Sequence, residues 1–338
     1  MVEIAAPAPP PMPAPMPARR RTPDARALLG RYGALLALLA LVPFNLLVTP
    51  NFASWQTLSI NVTQVCATVI VGVGMTLVIA TGGIDLSVGA LMAIAGTLAP
   101  LIFLGKLFPL PDPMIGVALA FVLPVLATGA LGWFNGWLVT RRIQPIVATL
   151  ILFIAGRGIA QVMTNGNLQS FKAPEFQFIG LGRVLGVPFQ AVLMAATVAA
   201  AAWALRRTVF GRQVLAVGGN ERAARLAGVP VGPVRRRAYV ISGVLSGVAG
   251  LIVVARNSAS DANLVGLGME LDAIAAVAVG GTLLTGGRAT VVGTLLGALI
   301  IQLTRYTLLA NGVPDAAALV VKAGIIIGAV WLQRGHQA

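Results

Sequence analysis

Apolar stretches long enough to cross a lipid bilayer recur along this chain from Tyr32 almost to the C-terminus. Crossing about 30 Å of hydrocarbon takes about 20 apolar residues in a helix. Only 10% of the residues are charged, whereas an average soluble domain has about 25%. We therefore predict an all-α fold, a polytopic membrane helix bundle of about ten transmembrane helices, some of them broken. The spans are expected near residues 33–49, 57–80, 86–105, 114–139, 146–164, 188–204, 238–255, 271–286, 289–309 and 315–332.

The region before the first span has a different composition. Its segment "PAPPPMPAPMPARRR" is rich in Pro and Ala, ends in a basic cluster and cannot build a hydrophobic core. We expect residues 1–31 to be a disordered basic cytoplasmic tail, residues 32–333 to form the transmembrane domain with a basic loop at 205–237, and residues 334–338 to be a second cytoplasmic tail. The single cysteine, Cys66, excludes an internal disulfide.

The distribution of Lys and Arg predicts the orientation of the bundle, because cytoplasmic loops retain positive charge. The other side of the predicted bundle carries only Lys106, Lys172, Arg183 and Arg256. Both termini are therefore predicted to be cytoplasmic. The basic residues on the cytoplasmic side are Arg19, Arg20, Arg21, Arg26, Arg31, Arg141, Arg142, Arg206, Arg207, Arg212, Arg222, Arg225, Arg235, Arg236, Arg237, Arg288 and Arg334.

The formal net charge of +14 is thus mainly an orientation signal. The basic residues are divided among loops without a recognisable nucleic-acid module, so no nucleic-acid partner is expected. The sequence contains no G-x-x-x-x-G-K-[ST], H-E-x-x-H or G-x-S-x-G pattern. We predict that the chain is not an enzyme and that it needs no cofactor and no metal.

Among the few acidic residues, we single out Asp85, Glu270 and Asp272, which lie near the predicted spans. An ionisable group in hydrocarbon costs at least about 2.5 kcal/mol, so it normally faces a cavity or a partner. Asp85 follows a glycine pair and precedes Ser87, which permits a broken helix. Two compatible interpretations stay open: Asp85 caps the new helix, or it lies in a polar pathway lined by broken helices.

Paired glycines mark the two predicted helix breaks, Gly82 with Gly83 and Gly280 with Gly281. The segments around them resemble each other loosely, which suggests two related halves. Cations within the spans, such as Arg157, Arg305 and Lys322, could contact a substrate, pair with the acids or extend to an interface. The candidate pathway residues are Asp85, Ser87, Arg157, Glu270 and Asp272.

The basic loop contains the short helix with the clearest start and stop signals in the chain. Asn220 is a good N-cap, Glu221 can pair with Arg225 four residues later, and Gly228 followed by Pro230 ends the helix. A helix of about two turns is marginal alone, so we expect the bundle and a docking partner to hold it. A solvated linker with incidental caps is the alternative.

Several long motifs in order make the chain resemble the permease subunits of bacterial ABC sugar importers of the ribose, galactose and galactofuranose type. They are "GMTLVIATGGIDLSVGALMAIAG", "IQPIVATLILFIAGRGIAQVMTNG", "AVGGNERAARLAGV", "ISGVLSGVAGLIVVAR" and "ELDAIAAVAVGGTLLTGGR". The resemblance covers about residues 50 to 333. It implies a multi-pass protein of the bacterial inner membrane, with 32–333 as the permease domain and 205–237 as its coupling loop.

The resemblance also implies partners: a second permease, identical or not, a cytoplasmic ABC ATPase that supplies the energy, and a periplasmic sugar-binding protein. The short helix would then be the element that docks on the ATPase. Its coupling residues would be Gly218, Gly219, Asn220, Glu221, Ala224, Arg225, Leu226 and Gly228.

The resemblance is less specific about the transported solute. Residues 81–96 and 143–164 look most like the galactofuranose type, whereas "GGNERAARLAG" is closer to the ribose type. We expect a pentose or a hexose. Alternatives are an ABC permease for a polyol, a nucleoside or a furanone signal, an ion-coupled secondary transporter, and a membrane scaffold that transports nothing.

Overall fold

The computed structural model describes residues 25–109 and 112–334, and nearly all of their regular structure is helical. The helices are α1 (Ala25–Val48), α2 (Trp55–Ala80), α3 (Val88–Phe103), α4 (Pro113–Thr140), α5 (Pro145–Thr164), α6 (Pro174–Leu181), α7 (Phe189–Arg207), α8 (Val209–Gly219), α9 (Glu221–Leu226), α10 (Val231–Asn257), α11 (Met269–Val279), α12 (Val291–Ala310) and α13 (Asp315–Arg334). Two-residue strands form two antiparallel pairs, β1 (Gln169–Ser170) with β4 (Ala259–Ser260) and β2 (Arg183–Val184) with β3 (Val187–Pro188).

Helix length and apolarity confirm a polytopic helical membrane protein. Six described helices are long and apolar enough to cross a membrane: α2, α4, α5, α7, α10 and α12. α3 and the Gly33–Val48 part of α1 are shorter apolar helices. Each predicted span coincides with a described helix. The number of crossings and the orientation of the termini stay predictions.

Two helices of the bundle differ from the predicted spans. The span expected at 271–286 ends at Val279, because Gly281 takes a left-handed conformation that terminates the helix. The span expected at 238–255 begins earlier, at Val231, so the three consecutive arginines of the basic loop belong to the first turns of α10.

The predicted tails lie largely outside the described residues, which exclude 1–24 and 335–338. α1 begins at Ala25, so residues 25–31, which the sequence analysis assigned to the tail, are helical. Their Ala, Leu and Arg residues are strong helix formers, and they extend the apolar helix toward its N-terminus.

The centre of the bundle is formed by α2, α3 and α10, which pack at short distances over small residues. A Cβ atom added to Gly250 of α10 would lie 2.5 Å from the carbonyl oxygen of Met92 in α3. A Cβ atom on Gly136 of α4 would lie 2.8 Å from the Cα of Arg236 in α10. Small residues therefore allow the close helix approach that membrane bundles use.

The bundle has two ends, defined here by the elements that meet there. At the α9 end, α8 and α9 lie beside the end of α2 and the α11–α12 loop, where the Gly287 N–H donates to the Ala80 carbonyl at 3.1 Å. At the opposite end, Arg183 of β2 donates to Ser59 near the start of α2 at 3.2 Å. The long helices α2, α4, α5, α7, α10 and α12 run between these ends.

Candidate functional site

α11 begins inside the bundle rather than at its surface. Its 11 residues span about 16 Å. Because α11 ends at the α9 end, its first residue lies about halfway through a hydrocarbon layer of about 30 Å. The chain reaches this depth through residues 261–268, an irregular segment that we call the re-entrant segment. Irregular backbone at membrane depth needs surrounding protein or a cavity, and such half-helices line the binding sites of many transporters.

α5 holds the re-entrant segment in place. Arg157 donates hydrogen bonds through Nη1 to the carbonyl oxygens of Ala262 at 2.9 Å and Val265 at 2.6 Å. One turn further along α5, Gln161 donates to the side-chain oxygen of Asn263 at 2.8 Å. Arg157, predicted as a pathway residue, thus binds the backbone of the re-entrant segment, which the sequence analysis did not predict.

An open cavity of about 350 Å³ lies beside the re-entrant segment. Its volume is in the range of small-molecule sites, about 300–1,000 Å³. The lining comes from the first half of α2 and the last turns of α10 and α12, so the cavity lies toward the opposite end of the bundle. Backbone and side chains of Leu264, Gly266 and Leu267 contribute from the re-entrant segment. The lining side chains that can hydrogen-bond are Gln64, Thr68, Arg256, Asp272, Gln302, Arg305 and Lys322.

The polar groups of the cavity include amides as well as charges. Gln302 of α12 donates to Gln64 of α2 at 2.9 Å. Arg256, at the end of α10, donates to the backbone carbonyl of Thr63 at 3.1 Å. Amide and hydroxyl side chains of this kind can both donate and accept hydrogen bonds. The cavity can therefore solvate a small polar molecule at membrane depth.

Two ion pairs connect the helices on one side of the cavity. Lys322 of α13 pairs with Asp272 of α11, and both side chains are mostly buried. Arg305 of α12 pairs with Asp315 of α13 at 2.9 Å. Asp272 is thus the predicted pathway residue that lines the cavity. Of the cations for which ion pairing was one predicted role, Lys322 pairs with Asp272, whereas Arg305 pairs with Asp315.

Asp85 lies in the break between α2 and α3 and is completely buried. Its carboxylate accepts hydrogen bonds from the Ser87 N–H at 3.1 Å, the Ser87 hydroxyl at 2.6 Å and the Ser242 hydroxyl of α10 at 2.8 Å. The Ser87 hydroxyl accepts from Asn135 of α4 at 2.9 Å. This network joins the start of α3 to α4 and α10. Ser87 is the N-cap residue of α3 and no side chain bonds the first N–H groups of the helix, so Asp85 closes the turn before α3 rather than capping it, and a pathway role for Asp85 and Ser87 stays a prediction.

The two predicted glycine breaks share one backbone geometry. Gly82 has φ +81° and Gly281 has φ +80°. The N–H groups of the residues that follow them, Gly83 and Thr282, each bond the carbonyl oxygen five residues back at 3.2 Å. This is the Schellman pattern of helix ends. Both breaks, including Gly280, lie at the α9 end, whereas the break at membrane depth is the re-entrant segment.

Glu270 stands in the first turn of α11 and is largely buried. It interacts electrostatically with Arg157. Its Oε2 atom has no hydrogen-bond partner among the described residues. The Glu270 carboxyl group lies beside α3, since a Cβ atom added to Gly89 would be 2.5 Å from Oε2.

The short helix predicted in the basic loop is α9, and its caps are those predicted. Asn220 Oδ1 accepts a hydrogen bond from the Ala223 N–H at 2.9 Å. Gly228, with φ +79°, follows the end of the helix. Ala224 is buried against the bundle, whereas the Leu226 side chain is 83% exposed. An exposed leucine on a helix fixed to the bundle is suited to docking.

Glu221 fixes α9 to α10. It binds Arg225 four residues on at 2.9 Å and Arg235 of α10 at 2.7 Å. Partial burial raises the pKa of Glu221, but the hydrogen bonds and charges of the two arginines outweigh burial and lower the pKa from its usual value. The link to Arg235 was not predicted, because the two residues lie on different elements.

Sequence reasoning missed the re-entrant segment and the cavity amides. The available signal was "DANLVGLGMELD", in which Gly266 and Gly268 precede the two acids. Both glycines have positive φ, the conformation that glycine adopts readily. Gln64 and Gln302 were polar residues within apolar spans, but no sequence rule brings α2 and α12 together.

Comparisons with known proteins identify relatives along most of the chain. Residues 57–330 match the family model described as the permease component of the branched-chain amino acid transport system. The chain is 41% identical over 312 residues to the galactofuranose transporter permease protein YtfT of Escherichia coli (strain K12), covering 88% of each chain. It is 39% identical over 321 residues to the ribose import permease protein RbsC of the same strain, covering 92% of this chain and 96% of the relative. It is 33% identical over 307 residues to the L-arabinose ABC transporter permease protein AraH of Azospirillum brasilense, covering 90% and 87%.

Proposed function

The chain belongs to the family of branched-chain amino acid transport system permease components, and from this premise we propose that it is the membrane permease of an ATP-driven monosaccharide importer. The observation that carries the proposal is the pairing of two features. A half-helix and a re-entrant segment line a polar cavity toward one end, and a capped helix with an exposed leucine stands at the other end.

The chemistry of the cavity supports a sugar as the solute. The family description names branched-chain amino acids, whereas the relatives with high identity are named for galactofuranose, ribose and arabinose. Apolar side chains such as Met92, Leu267 and Ile301 also line this cavity, so the sugar assignment rests on the named relatives together with the polar groups of Gln64, Thr68 and Gln302. Amides and hydroxyls match the alternating donors and acceptors of a pentose or hexose.

The proposed pathway runs from the cavity past Asp272 along α11 toward the α9 end. Asp272 is the member of the predicted set that would meet the sugar directly. Arg157 and Glu270 would position the re-entrant segment, and Asp85 with Ser87 would fix the start of α3. These assignments follow from the hydrogen bonds and burial described above.

At the α9 end we propose docking of an ABC ATPase. Leu226 would insert into the ATPase surface, and Arg222 and Arg225 would surround it with positive charge. The remaining coupling residues, Gly218, Gly219, Asn220, Glu221, Ala224 and Gly228, would hold α9 in place. This assignment makes the α9 end cytoplasmic and the cavity periplasmic, in the bacterial inner membrane, and requires a second permease and a periplasmic sugar-binding protein.

Co-purification from the native membrane tests the proposal. The tagged chain should retain an ABC ATPase and a binding protein whose bound ligand, identified by mass spectrometry, is a pentose or hexose. A branched-chain amino acid as that ligand would contradict the sugar assignment.

A matched pair of variants tests the docking site. Leu226→Asp should release the ATPase. Leu185→Asp, at the 99% exposed leucine of the β2–β3 turn at the opposite end, should not. Equal retention of the ATPase by both variants would contradict docking at α9.

A further inference from the structure

Three backbone segments meet without intervening side chains where α8 reaches the bundle: the end of α2, the end of α8 and the α11–α12 loop. A Cβ atom on Gly218 would overlap the Ala80 carbonyl oxygen and lie 2.5 Å from the Gly287 nitrogen. A Cβ atom on Gly287 would lie 2.6 Å from the Cα of Gly219, and one on Gly286 would lie 2.8 Å from the Gly82 nitrogen. We call Ala80, Gly218, Gly286 and Gly287 the glycine joint.

The joint is connected rigidly to α9. Gly218 is the penultimate residue of α8, and Asn220 alone separates α8 from α9. Val214 and Val217 of α8 are buried in the same core cluster as Ala80 and as Ala224 of α9. A displacement of α9 is therefore transmitted to Gly218 through packed side chains rather than through a flexible linker.

The joint is connected equally directly to the cavity. Ala80 ends α2, whose first half lines the cavity through Gln64 and Thr68. Gly287 belongs to the loop that ends α11, the half-helix that carries Asp272. The end of α2 and the α11–α12 loop are also bound to each other, because the Gly287 N–H donates to the Ala80 carbonyl at 3.1 Å.

We propose that the glycine joint makes α9, the end of α2 and the α11–α12 loop move as one unit, so that movement of the ATPase docking helix reaches the cavity. This inference rests on the proposed function. Glycine is required at Gly218 and Gly287 because any side chain would separate the backbones. The glycines act as positioning residues and do not contact the solute.

Two helical glycines provide a matched test. Gly218→Ala inserts a methyl group into the joint, whereas a Cβ on Gly158 of α5 would meet no neighbouring atom of the described residues within 4 Å. The test uses the complete transporter in vesicles and measures the sugar taken up per ATP hydrolysed. Gly218→Ala should lower this ratio about tenfold, within the range typical of coupling between sites, while ATPase binding and hydrolysis persist. Gly158→Ala should stay within about twofold of the unmodified protein, because its methyl group enters uncrowded space.

A normal uptake ratio in Gly218→Ala would overturn the proposed role of the joint, and so would an equal loss in Gly158→Ala. Failure of the ATPase to bind even the unmodified chain would instead refute the proposed function. These two failures are thus distinguishable by the binding measurement.

A second measurement is independent of whether Gly218→Ala folds. Spin labels at Ala223 of α9 and Arg288 of the α11–α12 loop, both exposed, report the distance across the joint in an otherwise unmodified chain. Adding nucleotide to the complete transporter should leave this distance unchanged while the distance from Ala223 to a label at Leu185 changes. A nucleotide-dependent change between Ala223 and Arg288 would show that the two segments move separately and would overturn the proposal.

Discussion

Replacing Asp85 with Ala should destabilise the bundle by about 3 kcal/mol and reduce transport. The Asp85 carboxylate is fully buried and accepts three hydrogen bonds, two from Ser87 and one from Ser242. A buried donor that loses its partner costs about 1–3 kcal/mol. The two hydroxyls can rotate toward other acceptors, so the full penalty falls on one or two of the three donors. Asp85→Asn keeps one carbonyl acceptor, and its amide can donate to the Ser242 hydroxyl, so it should cost only about 1 kcal/mol.

Two serines on α10 supply the matched control for Asp85. The Ser242 hydroxyl donates to Asp85, whereas the Ser246 hydroxyl donates to the Ser242 carbonyl of its own helix at 2.8 Å. Both side chains are fully buried. Ser242→Ala should therefore destabilise by about 1.5–3 kcal/mol, the range for a hydrogen bond to a charged group, and Ser246→Ala by less than about 1 kcal/mol.

The assay is the free energy of unfolding in detergent micelles, measured by denaturant titration, together with ATP-driven uptake by vesicles holding the same variants. Membrane insertion should be intact in each variant. Neutral surface substitutions change the free energy of unfolding by up to about 0.5 kcal/mol. A change no larger than this in Asp85→Ala would refute the argument from the buried network. Unchanged uptake by Asp85→Ala would refute a role for this break in transport.

Two further predictions concern the ion pairs. Because the pKa of Glu221 is lowered, its pairs with Arg225 and Arg235 should stabilise α9 above the usual glutamate pKa of about 4.3 and be lost as the pH falls through the lowered value. Hydrogen exchange of the α9 amides should show this loss, and Glu221→Gln should abolish its pH dependence; a persistent dependence in that variant would assign the effect to other groups. Neutralising either Asp272 or Lys322 alone should cost about 2 kcal/mol, between the values for exposed and buried pairs, whereas the double variant Asp272→Asn, Lys322→Met should cost less than the sum of the two single variants. Additive losses in the unfolding free energy would show that the pair has no coupling.

The features that local sequence determines were predictable. Long apolar runs located ten of the thirteen described helices, because burial in lipid requires them, whereas α6 and α8 lie outside the predicted spans. The caps of α9 were also predictable, since Asn220, Glu221 and Gly228 act on neighbours within one or two turns. The Schellman ends at Gly82 and Gly281 depend on glycine itself and appeared as paired glycines in the sequence.

The features that depend on tertiary contacts could not be predicted. The re-entrant segment is stable only because Arg157 and Gln161 of α5 bind it across more than a hundred residues of sequence. Asp85 was recognised as unusual, but its partner Ser242 lies on a helix that no sequence pattern links to it. The glycine joint likewise requires three distant segments to meet, so the sequence assigned Gly218 to the coupling residues without indicating its contacts with Ala80 and Gly287.

The most direct test of transport by this chain compares solute flux with and without its energy source. The chain, its second permease and the ATPase are reconstituted in vesicles with ATP on the side of α9, and the sugar-loaded binding protein is supplied on the other side. Accumulation of the pentose or hexose should require hydrolysable ATP and persist when ion gradients are collapsed. Full accumulation without the ATPase, or its loss on collapse of an ion gradient alone, would contradict an ATP-driven permease.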